Sequence, residues 1–328
     1  MNKARFCVGI DVGKDELVVA GEGGAMKTFG TAVGEVRRLA RWVIKQAKGQ
    51  AVHIGMEATG VYSHGVAAGL SRYDQFVVSV INPAQIKAFG RAMLVRTKTD
   101  RVDAKVIREF VRSQSPEAWT PPSPVRQQLY LLVTQVDALG LEIRQWKNRQ
   151  HAQAHDVDVP ETVTNSTKAI IDSLTSEQKR LHKAIDNLCA SESELAQDIA
   201  LLSTICGVKA RSASQILAYG GDSLTTRTRR QLDAHAGLVP AERQSGTSVR
   251  GKSHLAKQGN ARLRHALYMP TLVAVHNNPL FKRFYERLLS KGKAKKLALA
   301  ACMRKLLNII RAMLIKRTAF DPDYQPLT

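Results

Sequence analysis

Four carboxylates in this chain stand where they could share a metal ion. Asp11 closes an apolar run in GIDVGKDEL, Glu57 closes another in GMEATG, and Asp100 and Asp103 lie three residues apart in KTDRVDAK. Residues three apart share one face of a helix, and carboxylates at the ends of strands can meet such a pair at one point. Their hard oxygen atoms suit Mg²⁺. A pair of such ions would activate an attacking oxygen and stabilise a leaving one in phosphodiester chemistry. Each acid has a plainer reading as well. Asp100 at a helix start can cap the helix or answer its macrodipole. Glu57 can be a paired surface acid, and GIDVG also resembles the phosphate loop of actin-like and sugar kinases.

Charge decides between these readings. The 328 residues carry 49 Lys and Arg against 28 Asp and Glu, a formal net charge of +21. Residues 1–120 hold 18 basic and 11 acidic side chains, residues 121–198 hold 8 and 11, and residues 199–328 hold 23 and 6. Such an excess repels itself in a folded chain and suits a polyanionic partner, foremost nucleic acid. A kinase has no need of a second half this basic, so acids at strand and helix ends fit a metal-dependent nuclease core better. No stretch approaches the roughly 18 apolar residues of a membrane span, and Asp11 interrupts the first apolar run before a signal-peptide core forms. The four cysteines, Cys7, Cys189, Cys206 and Cys302, show neither CxxC spacing nor a nearby His pattern. A zinc site and a disulfide framework are not expected, and a cytoplasmic setting is.

The elements that must position the acids follow from periodicity. Up to the TPPSP linker at 120–124, ARFCVGIDV, ELVVAGE, AVHIGME and QFVVSVIN read as strands, and EVRRLARWVIKQAK and DRVDAKVIREFVRS as amphipathic helices. That alternation predicts an α/β domain with a mixed sheet over residues 1–119. After the linker, Val125, Leu129, Leu132, Val136, Leu139, Ile143 and Trp146 repeat in a four-three pattern. Ile171, Leu174, Leu181, Ile185, Leu188, Leu195, Ile199 and Leu202 continue it, with Gln178 and Glu192 as polar interruptions. Residues 125–198 are therefore expected to form a helical hairpin or an intermolecular coiled coil serving oligomerisation, although the same pattern fits a simple helical core equally well. Residues 199–328 read as mostly helical. Two short apolar helices meet at Gly207, where a turn could offer backbone N–H groups to a phosphate.

The runs GIDVGKDEL, GMEATGVY, VINPAQIKAFGRA and KTDRVDAKVIREF, in that order, resemble the RuvC-like domain of the DEDD insertion-sequence transposases, the group described as bridge-RNA-guided serine recombinases. AGLVPAERQSGTSVRGKSHLAKQGNARLRHALYMP is similar to that family's second catalytic domain, so the resemblance covers nearly the whole chain. Pilin-gene invertases share the architecture. One departure concerns the hairpin, where family members commonly carry ProGly and a second Gly. Here the segment reads Ile205, Cys206, Gly207, Val208, Lys209.

The resemblance implies an RNase H-like fold in which Asp11, Glu57, Asp100 and Asp103 bind Mg²⁺. It also implies a mostly helical C-terminal domain in which Ser245, opening SGTSVRG, attacks a DNA phosphodiester and forms a phosphoserine link. Ser248 and Ser253 are its neighbours in sequence. A serine hydroxyl is weak at neutral pH and needs a base or metal, which the acids would supply. Arg243, Arg250, Lys252, Lys257, Arg262 and Arg264 lie where scissile phosphates would be held, although each can equally be a solvated or nonspecific cation. KGKAKK at 291–296 reads as a phosphate-binding surface. Tyr62, Trp119 and Tyr268 could stack on bases or pack in cores. The implied partners are donor and target DNA, a guide RNA, and further copies of the chain in a dimer or tetramer. A hydrolytic junction nuclease with no serine chemistry is the alternative enzyme. A binding module without catalysis is the alternative outside enzymes.

Overall fold

The computed structural model describes residues 6–58, 60–241, 244–245, 249–250, 254–256 and 258–321. They form two compact units, 1–121 and 122–328.

In the first unit, β1 (Phe6–Val12) pairs antiparallel with β2 (Glu16–Ala20), and β2 with β3 (Met26–Gly30). On its other side β1 pairs parallel with β4 (Val52–Glu57), and β4 with β5 (Phe76–Ile81). The sheet is thus mixed, in the order β3-β2-β1-β4-β5, as the alternation of elements predicts. The β3 edge is not evident in the sequence because of its five residues only Phe29 is buried, which leaves no clear two-residue period. Four helices complete the unit: α1 (Val33–Ala47), α2 (Val61–Leu70), α3 (Pro83–Ala92) and α4 (Asp100–Gln114). Successive strand residues face opposite layers. Val8 and Ile10 of β1 and Ile54 and Met56 of β4 pack with Leu39, Val43 and Ala67 from α1 and α2. The other face carries Cys7, Gly9 and Asp11 of β1, and α4 lies there with Ile107, Phe110 and Val111 buried.

Two glycines set how closely α4 approaches. A β-carbon at Gly9 would stand 2.1 Å from the Ala104 carbonyl oxygen and 2.4 Å from the Arg108 nitrogen, and one at Gly55 would stand 2.2 Å from a Val111 methyl. Gly9 and Gly55 are register partners across the β1–β4 pair. The helix backbone therefore rests directly on the sheet at Gly9, and its side chains fill the space over Gly55. Arg108 fastens it further by donating to the Gly21 carbonyl at 2.6 Å.

The second unit starts with α5 (Pro124–Gln153), capped by the Ser123 hydroxyl, and α6 (Glu161–Ser191). They pack on each other as an intramolecular hairpin. Gln178, a polar interruption in the seam, donates from Nε2 to the Val136 carbonyl at 3.2 Å, and Gly140 leaves the room for it. Glu192 is where the helix breaks, with φ −104° and ψ 106°, so Leu195 and Leu202 of the expected seam belong to a separate helix, α7 (Ser193–Ser203). Then come α8 (Ala210–Gly220), α9 (Ser223–Thr226) and α10 (Arg229–His235). Short strand pairs follow: β6 (Pro240–Ala241) with β9 (His254–Leu255), and β7 (Gln244–Ser245) with β8 (Val249–Arg250). The chain ends in α11 (Ala261–Asn277), α12 (Pro279–Ser290) and α13 (Lys295–Lys316). Leu129, Val133 and Val136 of α5 share one core with Leu202, Ile216, Leu267 and Leu306. Residues 125–198 and 199–328 are thereby joined through common packing.

Gly207, between α7 and α8, adopts φ +97°, and a β-carbon there would fall 2.5 Å from the Pro270 carbonyl of α11. Its glycine is required by the left-handed backbone and the close passage of a neighbouring helix.

Candidate active site

Asp11 and Glu57 lie near or at the C-terminal ends of the neighbouring parallel strands β1 and β4, each two residues beyond the glycine that lets α4 down. A two-residue step keeps a side chain on the same face, so both acids emerge on the α4 side. The first turn of α4 carries Asp100 and Asp103. Thr99 is the helix cap, its hydroxyl accepting from the Val102 N–H at 3.3 Å, so Asp100 is not the capping residue. Both aspartates still lie at the positive end of the helix dipole.

Electrostatics shows that the four carboxylates are neighbours. The Asp11 pKa is pushed up to about 6, first by burial and then by the charges of Asp100, Asp103 and Glu57, with Lys98 opposing. The Glu57 carboxyl is raised by burial and by Asp103, and that of Asp103 by burial and Asp100, each opposed by Lys98. Acids up to some ninety residues apart in sequence thus share one field. Lys98 is the residue that motif reading overlooks. It belongs to KTDRVDAK yet carries the charge opposite to the one sought, and only the fold sets it among the acids.

The donor set suits a hard divalent cation, being all carboxylate oxygen, partly buried and short of compensating charge. Among the described residues no three His, Cys, Asp or Glu side chains stand in ligating positions around one point. Asp11, Glu57 and Asp103 therefore each feel neighbouring acids, without the described residues forming a closed coordination shell.

In the second unit, Ser245 lies in β7 opposite Val249 of β8, and Arg250 opposite Gln244. Arg243, Lys252 and Lys257, with Ser248 and Ser253, lie outside the described residues. Arg262 donates to the Tyr130 hydroxyl at 3.0 Å and the Thr134 hydroxyl at 3.1 Å, and lies over the Tyr130 and Tyr219 rings. Those contacts tie α11 to α5 and α8. Arg264 donates to the Ala236 carbonyl at 2.9 Å. Both arginines are thus engaged within the protein, which their sequence context does not reveal. Of the aromatic residues, Trp119 packs on the first unit's core and against the His64 ring, whereas Tyr62 and Tyr268 are largely exposed. Cys189, Cys206 and Cys302 are free thiols. No helix among the described residues is long and apolar enough to cross a membrane.

The first unit is thus a mixed sheet with acids near its strand ends, and residues 199–328 are strongly basic. Comparison with known proteins gives the family. Residues 8–157 match a DEDD transposase model of the IS110 group, described as transposase, and residues 199–286 match the model of the transposase IS116/IS110/IS902 family. The chain is 30% identical over 320 residues to the pilin gene-inverting protein of Moraxella bovis, covering 96% of this chain and 97% of that one. It is 31% identical over 272 residues to the pilin gene-inverting protein of Moraxella lacunata, covering 82% of each. A 43.6 kDa protein of insertion element IS110 from Streptomyces coelicolor is 28% identical over 161 residues, covering 48% of this chain and 40% of that one. The chain belongs to the IS110 family of DEDD transposases. Serine recombinases are a different class, so that part of the expected label does not apply.

Proposed function

We propose that this chain cuts and rejoins DNA with two sets of groups, the acids of the first unit and Ser245 of the second. The observation that carries this reading is the placement of Asp11 and Glu57 near the ends of β1 and β4, on the face against which the first turn of α4 carries Asp100 and Asp103. The sheet order and the placement of these acids support an RNase H-like, RuvC-like first domain. The four carboxylates would hold Mg²⁺, which when bound supplies charge neutralisation and activation of an attacking oxygen. Asp11, with a pKa near neutrality, would release its proton as it takes up this role. Lys98 would offset part of the acids' mutual repulsion until then.

The Ser245 hydroxyl would form an ester with the scissile phosphate as the strand's own oxygen departs, so the broken strand stays joined to protein and can be passed to a new end. With base pairing to a guide RNA setting the target, the protein needs chiefly backbone contacts, which its broad positive charge suits. The family resemblance supports a dimer or tetramer as the working assembly.

The test is a cleavage assay on a supercoiled plasmid carrying the element's own junction, using protein together with its copurified RNA. Asp11→Asn is expected to abolish cleavage. Ser245→Ala is expected to abolish a covalent protein–DNA adduct while leaving DNA binding in place. Cleaved ends without an adduct, undiminished in the alanine variant, would instead identify a hydrolytic junction nuclease. Sequencing the copurified RNA tests the guide, whose two segments should match donor and target. The nearly full-length similarity to pilin gene-inverting proteins supports a second reading, inversion of a resident segment. A plasmid with inverted and separate target sites distinguishes it from transposition.

A further inference from the structure

A cleft of about 510 Å³ opens between the N-terminal halves of α11 and α13. Arg264, His265 and Tyr268 line one side, and Lys296, Leu299 and Met303 the other. Its size falls within the roughly 300–1,000 Å³ of small-molecule sites. No acidic side chain is among its described lining residues. Cations with no compensating acid call for an anion, while Leu299 and Met303, members of the hydrophobic core only 7% and 5% exposed, give the cleft an apolar floor. The wall is divided: an apolar strip and an aromatic ring for a flat hydrophobic body, and two cations for a charge attached to it.

Three features equip the charged side. Arg264 is held by its bond to the Ala236 carbonyl, which fixes one nitrogen of the guanidinium and leaves a planar set of further N–H donors. Lys296 is the second residue of α13, a 22-residue helix whose cap, Ala294, offers no side-chain acceptor. The start of the helix adds the positive end of its dipole. Tyr268 is 44% exposed, one turn along α11 from Arg264, so part of its ring is open to a stacking partner.

We infer that this cleft receives one unpaired nucleotide of the bound nucleic acid, its base on Tyr268 and the Leu299–Met303 wall, its phosphate at Arg264 and Lys296. The inference rests on the proposed action on nucleic acid but not on the acids or Ser245. A base inside a duplex presents no free face, so the cleft selects single-stranded or extruded positions. DNA and RNA share this chemistry.

The test uses full-length protein in EDTA with five-residue oligonucleotides carrying a central 2-aminopurine, one of DNA and one of RNA. Fluorescence quenching on binding is expected in at least one arm, and the arm that responds identifies the source. Tyr268→Ala should weaken binding by about 10-fold and remove the quenching, whereas Tyr268→Phe should retain both. Lys296→Gln should weaken binding and flatten its salt dependence. Quenching in neither arm, unchanged binding by Tyr268→Ala, or equal competition by a fully paired duplex would each overturn the inference. Since EDTA prevents strand cleavage here, failure of this site is distinguishable from failure of the catalytic reading, which Asp11→Asn tests separately.

Discussion

Asp11 carries a conflict between stability and use. Its pKa is raised from 3.8 to about 6, so between those values the unfolded chain gives up a proton that the folded chain keeps. The fold consequently loses stability as pH rises through that window, on the order of 2 kcal/mol for this one group. Asp11→Asn should therefore raise the melting temperature of metal-free protein at pH 7 while removing cleavage; a lowered melting temperature would show that the repulsion is not there. Because a ligating carboxylate must be ionised, Mg²⁺ affinity should climb between about pH 5 and 7, measurable by calorimetry with proton release. His235 has the opposite sign. Burial, then Arg227, lowers its pKa from 6.5 to about 4, so the unfolded state takes up the proton first as the pH falls. Its contribution is intact above about pH 6.5 and is lost down to about pH 4, by roughly 3 kcal/mol at most. Denaturant titrations of wild type and His235→Gln should diverge in slope against pH across that interval and run parallel above it.

Between residues and molecule, the decisive element is α4 on β1 and β4. Gly-x-Asp at 9–11 and Gly-x-Glu at 55–57 are alike: a glycine that makes room for α4, for its backbone at Gly9 and its side chains at Gly55, and, two residues on, an acid on the same face. A methyl at Gly9 must displace backbone, which cannot rotate aside as a side chain can. Gly9→Ala should cost about 1–3 kcal/mol and, by lifting Asp100 and Asp103 away from Asp11, reduce cleavage far more than the loss of folded protein explains. Equal losses in folded fraction and activity would show that α4 does not set the site. The repeated glycine is plain in the sequence. Its meaning is not, because spacing cannot tell a close helix contact from a turn.

Charge belongs to the whole molecule. Residues 199–328 carry most of the excess, and Lys291, Lys293 and Lys295 are exposed around the start of α13. Replacing the three with Gln should weaken duplex binding regardless of sequence and lower the slope of log affinity against log salt by about 2–3, each phosphate contact contributing about 0.9. An unchanged slope would place the DNA elsewhere. At this scale too, Asp198 shows what sequence conceals: an acid only 2% exposed, it is paired with Arg126 of α5 and with Arg317 just beyond α13. Nothing in the linear order of these three distinguishes them from surface charges, since partners 72 and 119 residues away are brought up only by folding.

The sequence by itself determined the mixed α/β first half, the long helices of the second and which acids stand at strand and helix ends, because two-residue and heptad periods are local and carboxylates in a basic chain stand out. Tertiary structure alone decided that α5 pairs with α6 inside one chain, that the 195–202 turns form their own helix, that Lys98 sits among the acids, and that Arg262 and Arg264 hold helices in place. Each of these depends on distance between segments far apart along the chain, and a periodic pattern records which face of an element is buried without recording against what.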